Sequence, residues 1–136
     1  MSIPKIIHYC WFGGGPISPE SRKCMESWKK YCPDYKIMAW NEQNFDISTN
    51  RYAQQAYAAK KYAFVSDYVR LAVLYEYGGI YLDTDVELVR PLDELLEYKG
   101  FIGMEYSVPS PYGRTLLVNT GSGVGAEPGC GMIGKM

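Results

Sequence analysis

The sequence predicts an α/β fold, and three observations lead to that class. Short apolar runs rich in Ile, Val and aromatic residues alternate with segments whose apolar residues recur at helical spacing. Glycine or proline stands at most of the junctions between them. Hydrophobic residues make up 47% of the 136 residues, which suits one globular domain with its own core. We therefore treat residues 1–136 as a single domain.

The first strand and the first helix are bounded by residues that break or cap regular structure. The apolar run 3–12 predicts a buried strand, which ends at three glycines and a proline over 13–16. Ser18 suits the N-cap of a helix and Pro19 its first position, where no backbone N–H is needed. The helical pattern then continues to about Tyr31.

The middle of the chain predicts a strand followed by a long helical region. Residues 35–40 read as a second strand, and the polar run 41–50 predicts a loop with at most one short turn. Apolar residues at helical spacing over 51–77 predict two helical pieces, the first rich in alanine. The glycine pair 78–79 ends this region, as glycine commonly does just past a helix.

The last part of the chain returns to strands. Residues 80–86 predict a strand and 93–98 a short helix, and two further strands are expected over 100–105 and 116–119. Helices and strands thus alternate along the chain, which favours the α/β class.

Two carboxylates end the strand predicted at 80–86. Side chains alternate along a strand, so Asp83 and Asp85 are expected on one side, with Tyr81 preceding them. Paired carboxylates suit Mg²⁺ or Mn²⁺, and ligands of open α/β sheets bind near strand ends. A cation held there would neutralise a diphosphate leaving group. The alternative is that two solvated aspartates simply end a strand.

Three other motifs fit the chain less well. A calcium-binding loop starting at Asp83 would need glycine where Leu88 stands. A phosphatase with an aspartyl nucleophile usually has a small hydroxyl residue where this chain has Glu87. Residues 121–126 loosely match a dinucleotide-binding loop, but Pro128 prevents a helix from starting directly behind them.

Asp67 and Arg70 are three residues apart on the helix before the acidic pair, so they share a face. An exposed ion pair is one interpretation. The other is that both side chains reach the sheet edge near Asp83, where Arg70 would bind phosphate or sugar hydroxyls.

Several segments together resemble the glycosyltransferases that have a DxD-containing sugar-binding region. The segment SDYVRLAVLYEYGGIYLDTDVE is the most specific, because SDxxR, YGG and YLDTD occur at the spacing of the family. The other similar segments, in chain order, are IPKIIHYCWFGG, the SW pair, PDY, the WNE tripeptide that begins at Trp40, RPLDELL and NTGSGVGAEPG.

The resemblance implies a GT-A-like, Rossmann-like α/β sheet that binds a nucleotide sugar, with Mn²⁺ or Mg²⁺ as cofactor. It assigns Trp11 to the nucleotide base, and Asp67 and Arg70 to the donor sugar and phosphates. Tyr81 would lie beside the donor. The resemblance assigns both catalysis and metal binding to Asp83 and Asp85. His8 also matches the family, although a lone histidine on an apolar strand is more often structural.

Composition excludes some classes of function. The net charge is −1 with no basic run, which argues against a nucleic-acid partner. No apolar run approaches the roughly 20 residues of a membrane span. Four cysteines without a CxxC pair, beside one histidine, make a zinc site improbable and indicate reduced thiols in a cytoplasmic protein.

Domains of this family usually continue beyond the point where this chain stops, so it looks like the donor-binding part of such an enzyme. The function implied is transfer of a sugar from a UDP- or GDP-sugar to a glycan or polysaccharide acceptor, with retention of configuration. The alternative is a non-catalytic module that binds nucleotide sugars or assists assembly. An unfinished sheet would expose an edge, so a homo-oligomer is also expected.

Overall fold

The structure is a computed structural model and describes residues 3–88, 91–102, 104–110, 113–118 and 123–134. The strands are β1 (Ile6–Cys10), β2 (Lys36–Trp40), β3 (Gly79–Tyr81), β4 (Gly100–Ile102), β5 (Met104–Ser110), β6 (Gly113–Val118) and β7 (Val124–Ala126). The helices are α1 (Pro19–Tyr31), α2 (Arg51–Ala58), α3 (Tyr62–Tyr77) and α4 (Gly131–Gly134), with 3-10 turns at Ile47–Thr49 and Asp93–Glu97.

A mixed five-stranded sheet forms the centre of the fold. Its strand order is β2-β1-β3-β7-β4, and β5 and β6 pair separately as an antiparallel hairpin. β1 runs parallel to both β2 and β3, whereas β7 is antiparallel to β3 and β4. Because β1 and β3 are parallel neighbours, the residues that follow both strands emerge at the same edge of the sheet.

Both faces of the sheet are covered, and the alternation along each strand divides the core in two. One side of β1 and β3 places Cys10 and Tyr81 against the buried valines of α3. The other side places Ile7 and Ile80 against Trp28 of α1. The predicted α/β class is therefore confirmed.

Local capping signals placed two helix ends correctly. The Ser18 hydroxyl accepts the Ser21 N–H at 3.1 Å, and Pro19 is the first helical residue, as predicted. α3 ends at Tyr77, and Gly78 follows with φ +70°, a conformation that glycine adopts without strain.

His8 is fully buried and joins three elements. Its Nε2 lies 2.8 Å from the carbonyl oxygen of Gly78, and its Nδ1 accepts the indole N–H of Trp40 at 3.0 Å. This arrangement requires a neutral ring with the proton on Nε2. Burial lowers the pKa of His8, and this effect is larger than that of the hydrogen bond to the Gly78 carbonyl, which raises the pKa. The structural interpretation of this histidine agrees with its contacts.

The prediction of a strand over 80–86 is wrong beyond Tyr81, where β3 ends. The chain leaves the sheet after one more backbone hydrogen bond, from Leu82 N–H to the His8 carbonyl at 3.1 Å. It then turns, and the Val86 N–H donates to the carbonyl of Asp83. Strand alternation therefore cannot explain how Asp83 and Asp85 come to face the same cleft.

The other strand boundaries also differ from the sequence predictions. The first strand covers Ile6–Cys10 rather than 3–12, so Trp11 lies just past its end. The strand expected over 100–105 is divided between β4 in the main sheet and β5 in the hairpin. Leu116–Val118 belongs to β6, and residue 119 lies outside the described residues.

The glycine-rich segment 121–126 supplies β7 rather than a phosphate-binding loop. Residues 121 and 122 lie outside the described part, but Val124–Ala126 pairs with β3 on one side and β4 on the other. Gly125 packs directly against the ring of Phe101. A Cβ added to Gly125 would lie only 2.2 Å from a ring carbon of Phe101. Glycine is therefore required at this position for close packing between the two strands.

Candidate functional site

A cleft of about 750 Å³ opens at the carboxyl ends of β1 and β3. All six residues that the sequence assigned to a site line it: Trp11, Asp67, Arg70, Tyr81, Asp83 and Asp85. They come from three segments, namely the chain after β1, the first half of α3, and the end of β3 with its following turn. The parallel pairing of β1 and β3 is what brings these segments together.

Asp83 lies at the centre of the polar contacts in the cleft. Its Oδ1 accepts a hydrogen bond from the Tyr81 hydroxyl at 3.0 Å and one from Nη2 of Arg70 at 3.3 Å. Burial raises the pKa of Asp83, against the Arg70 charge and the Tyr81 hydrogen bond, which lower it. The charges of Asp85 and Asp67 add to the increase.

Arg70 is a buried cation, 5% exposed, that links α3 to the acidic turn. The same Nη2 lies 3.3 Å from Oδ1 of Asp67, and Nε donates to the Ser66 carbonyl at 3.2 Å. The guanidinium also lies over the Tyr81 ring, 4.6 Å from its centroid. Asp67 and Arg70 thus share a helix face as predicted, and Arg70 contacts Asp83 in addition.

Asp85 differs from Asp83 because it is exposed and makes no hydrogen bond or ion pair with any residue that the structure describes. Within the described ranges no group of three or more His, Cys, Asp and Glu side chains could hold a metal ion. Asp83 and Asp85, both in the acidic turn after β3, are the two carboxylates of the cleft considered for a cation. This number fits Mg²⁺ or Mn²⁺, which are commonly held by one or two carboxylates with the remaining positions filled by substrate phosphates and water.

Trp11 lines the cleft from the chain just past the end of β1. Its backbone N–H donates to the Trp40 carbonyl at 2.9 Å, and its indole N–H donates to the carbonyl of Gly15 at 2.6 Å. Because the indole N–H is already bonded, the ring offers a π face rather than a donor to anything bound in the cleft.

Tyr81 is buried although it lines the cleft. The residue is only 1% exposed, and its hydroxyl is used by Asp83. It lines the cleft and contacts both Asp83, through its hydroxyl, and Arg70, through its ring.

The sequence predictions missed several residues of the cleft. Tyr62 and Ala63 begin α3 and line it, as does the buried thiol of Cys10. Ser21 and Thr84 also line it, with their hydroxyl oxygens 3.4 Å apart. No local pattern distinguishes these residues from ordinary core or surface residues, so only the packing of distant segments identifies them.

A protein-family model matches more than half of the chain. The model described as "Glycosyltransferase sugar-binding region containing DXD motif" matches residues 18–102, which include the acidic turn and all of α3. The chain belongs to this family. The family assignment made from the sequence motifs is confirmed.

Curated relatives are similar over most of the chain. Inositol phosphoceramide mannosyltransferase 3 of Schizosaccharomyces pombe is 34% identical over 116 residues, covering 74% of this chain and 29% of the relative. Mannosyl phosphorylinositol ceramide synthase of Saccharomyces cerevisiae is 30% identical over 111 residues. That match covers 74% of this chain and 27% of the relative. The chain thus spans about 30% of the length of these relatives.

A solved structure supports the fold. The PaToxG glycosyltransferase matches with a TM-score of 0.70 at 23% identity, covering 98% of this chain and 58% of that one. The predicted GT-A-like α/β fold is therefore confirmed.

Among the residues described, none of the helices has the length and apolar character that a membrane span needs.

Proposed function

We propose that this chain binds the nucleotide-sugar donor of a metal-dependent glycosyltransferase, which transfers the sugar to a glycan or polysaccharide acceptor with retention of configuration. The strongest support is that Arg70 and Tyr81 both donate hydrogen bonds to Asp83 in a cleft that Asp85 also lines, and Asp85 is unpaired among the described residues. The cleft has the size of a small-molecule site.

Trp11 and the acidic turn would bind opposite parts of the donor. The π face of the Trp11 indole suits a flat nucleotide base, because its N–H group is already occupied by Gly15. At the other side, Asp67 and Asp83 accept hydrogen bonds, so their carboxylates suit the hydroxyls of a ribose or hexose. The donor would lie between these two walls.

Arg70 would orient the acidic residues and meet the negative charge of the donor. Its guanidinium is always protonated and can form parallel hydrogen bonds to phosphate oxygens. Its contacts with Asp67 and Asp83 hold it in the cleft before the donor arrives, which lowers the entropy cost of binding.

Asp85, with Asp83, would hold the divalent cation. When bound, the cation supplies positive charge that stabilises a departing nucleoside diphosphate. The carboxylate of Asp85 is exposed and unpaired among the described residues, so it can bind a cation without first breaking a contact. Two carboxylates alone leave coordination positions for the diphosphate oxygens.

The names of the relatives suggest which donor to test first. One is named an inositol phosphoceramide mannosyltransferase and another a mannosyl phosphorylinositol ceramide synthase. We therefore propose a mannose donor as the first candidate for this chain, with other hexoses as alternatives.

Calorimetry with a panel of UDP- and GDP-sugars, each with and without Mn²⁺, tests the proposal. We expect one donor to bind in the presence of Mn²⁺ and to bind at least tenfold more weakly to Asp85→Asn. The control is Glu87→Gln, because Glu87 is exposed, lies two residues further along and does not line the cleft.

The proposal is wrong if no donor binds with Mn²⁺, or if Asp85→Asn and Glu87→Gln bind equally well. Binding that depends on Mn²⁺ without any sugar transfer or donor hydrolysis would instead support a non-catalytic binding module.

A further inference from the structure

The loop Gly13–Gly15 forms the rim of the cleft beside Trp11. Gly13 and Gly14 both have positive φ, +94° and +72°, so the loop curls sharply back toward the end of β1. The Gly15 carbonyl at its far end accepts the indole N–H of Trp11. The orientation of the Trp11 ring therefore depends on where this loop is held.

Glu42 holds the loop from outside the cleft. Its Oε2 accepts the backbone N–H of Gly13 at 2.9 Å. Glu42 follows β2, two residues beyond Trp40, whose carbonyl binds the backbone N–H of Trp11. Glu42 is the last residue of the WNE tripeptide. The donor contacts proposed above do not involve this motif.

Two tyrosines complete the support of the loop. The ring of Tyr62 lies against Gly13 so closely that an added Cβ would come within 2.6 Å of it. Tyr57 packs edge-on against Tyr62, with 5.7 Å between ring centroids. Burial and then the nearby Glu42 carboxylate raise the pKa of Tyr57, so Glu42 faces α2 as well as the loop.

We propose that Glu42 is a positioning residue, which with Tyr62 holds the Gly13–Gly15 loop and so fixes the Trp11 ring as a wall of the cleft. Glu42 does not line the cleft itself and would act only through the loop. The consequence for ligand affinity rests on the proposed donor function, whereas the orientation of Trp11 does not.

The indole N–H of Trp11 reports directly on the loop. Hydrogen exchange of the three indole N–H groups can be followed by NMR, with Trp11 assigned from Trp11→Phe. We expect Glu42→Ala to accelerate exchange at Trp11 by roughly three- to tenfold, the equivalent of one net hydrogen bond. Trp28 and Trp40, which are bonded elsewhere, should not change.

Glu42→Gln and Glu76→Ala serve as matched comparisons. The amide oxygen of Gln can still accept the Gly13 N–H, so this variant should stay close to wild type. Glu76 is exposed on α3 and does not line the cleft, so its replacement by Ala should leave Trp11 exchange unchanged. Tyr62→Leu, which removes the ring that supports Gly13, should accelerate exchange as Glu42→Ala does.

Calorimetry with UDP and GDP in the presence of Mn²⁺ gives the second measurement. We expect Glu42→Ala to lower the affinity for the nucleotide that binds wild type by roughly three- to tenfold. If neither nucleotide binds wild type, the proposed donor function fails while the exchange result still decides the role of Glu42. Unchanged Trp11 exchange in both Glu42→Ala and Tyr62→Leu would overturn the inference, and so would a Glu42→Gln variant that behaves like Glu42→Ala.

Discussion

Replacing His8 with phenylalanine tests how the sheet and α3 are joined. His8 donates to the Gly78 carbonyl and accepts from the Trp40 indole, and it is fully buried. Phenylalanine fills a similar volume but leaves one buried acceptor and one buried donor without a partner. Each unpaired group costs about 1–3 kcal/mol, so we expect His8→Phe to lower the free energy of unfolding by about 2–6 kcal/mol at pH 7.5.

The pH dependence of this difference gives a sharper test. The pKa of His8 is lowered in the folded state, so below about pH 6.5 the unfolded chain binds a proton that the folded chain does not. The stability that neutral His8 provides is therefore complete above pH 6.5 and is lost as the pH falls toward the folded pKa. The loss has a maximum slope of about 1.4 kcal/mol per pH unit.

His8 is the only histidine in the chain, so the difference between wild type and His8→Phe isolates its titration. Urea unfolding followed by far-ultraviolet circular dichroism between pH 7.5 and 5 measures it without relying on Trp40 fluorescence, which a protonated imidazole nearby would quench. We expect the gap in stability to narrow as the pH falls. A constant gap would show that the pKa of His8 is not lowered, and a widening gap would show that it is raised.

Three further predictions concern the cleft and the core. Arg70→Met and Asp83→Asn, combined in a double-mutant cycle of urea unfolding, should show a coupling of about 1 kcal/mol, since Asp83 is only half-buried; additive effects would contradict their pairing. Gly125→Ala should lower stability by about 1–3 kcal/mol through a clash with Phe101, whereas Gly131→Ala, which meets nothing within 4 Å, should have little effect on the melting temperature. Burial raises the pKa of Cys10 to about 12, so iodoacetamide at pH 8 should label the partly exposed Cys24 first, and equally fast labelling of Cys10 by mass spectrometry would disprove its burial.

Local signals in the sequence predicted the helices well. Ser18 and Pro19 fix the start of α1, and Gly78 ends α3, because capping depends on residues within a few positions of each helix end. The shared face of Asp67 and Arg70 follows in the same way from helical spacing.

The strands were predicted less accurately because their lengths depend on distant partners. β3 stops at Tyr81, where its paired register with β1 reaches His8 and β7 begins at Val124. The strand pattern predicted over 80–86 gives no local indication of this end. The glycine-rich segment likewise gave no sign that it would become a strand between β3 and β4.

The sequence by itself determined the α/β class, the start of α1, the end of α3, the family, and six of the residues that line the cleft. Only the tertiary structure decided that Asp83 pairs with Arg70 while Asp85 stays exposed, and that Glu42 reaches the loop beside Trp11. The physical reason is that helix capping and residue spacing act over a few positions. The contacts of the cleft join segments separated by 13 to 63 residues and exist only after the parallel strands have paired.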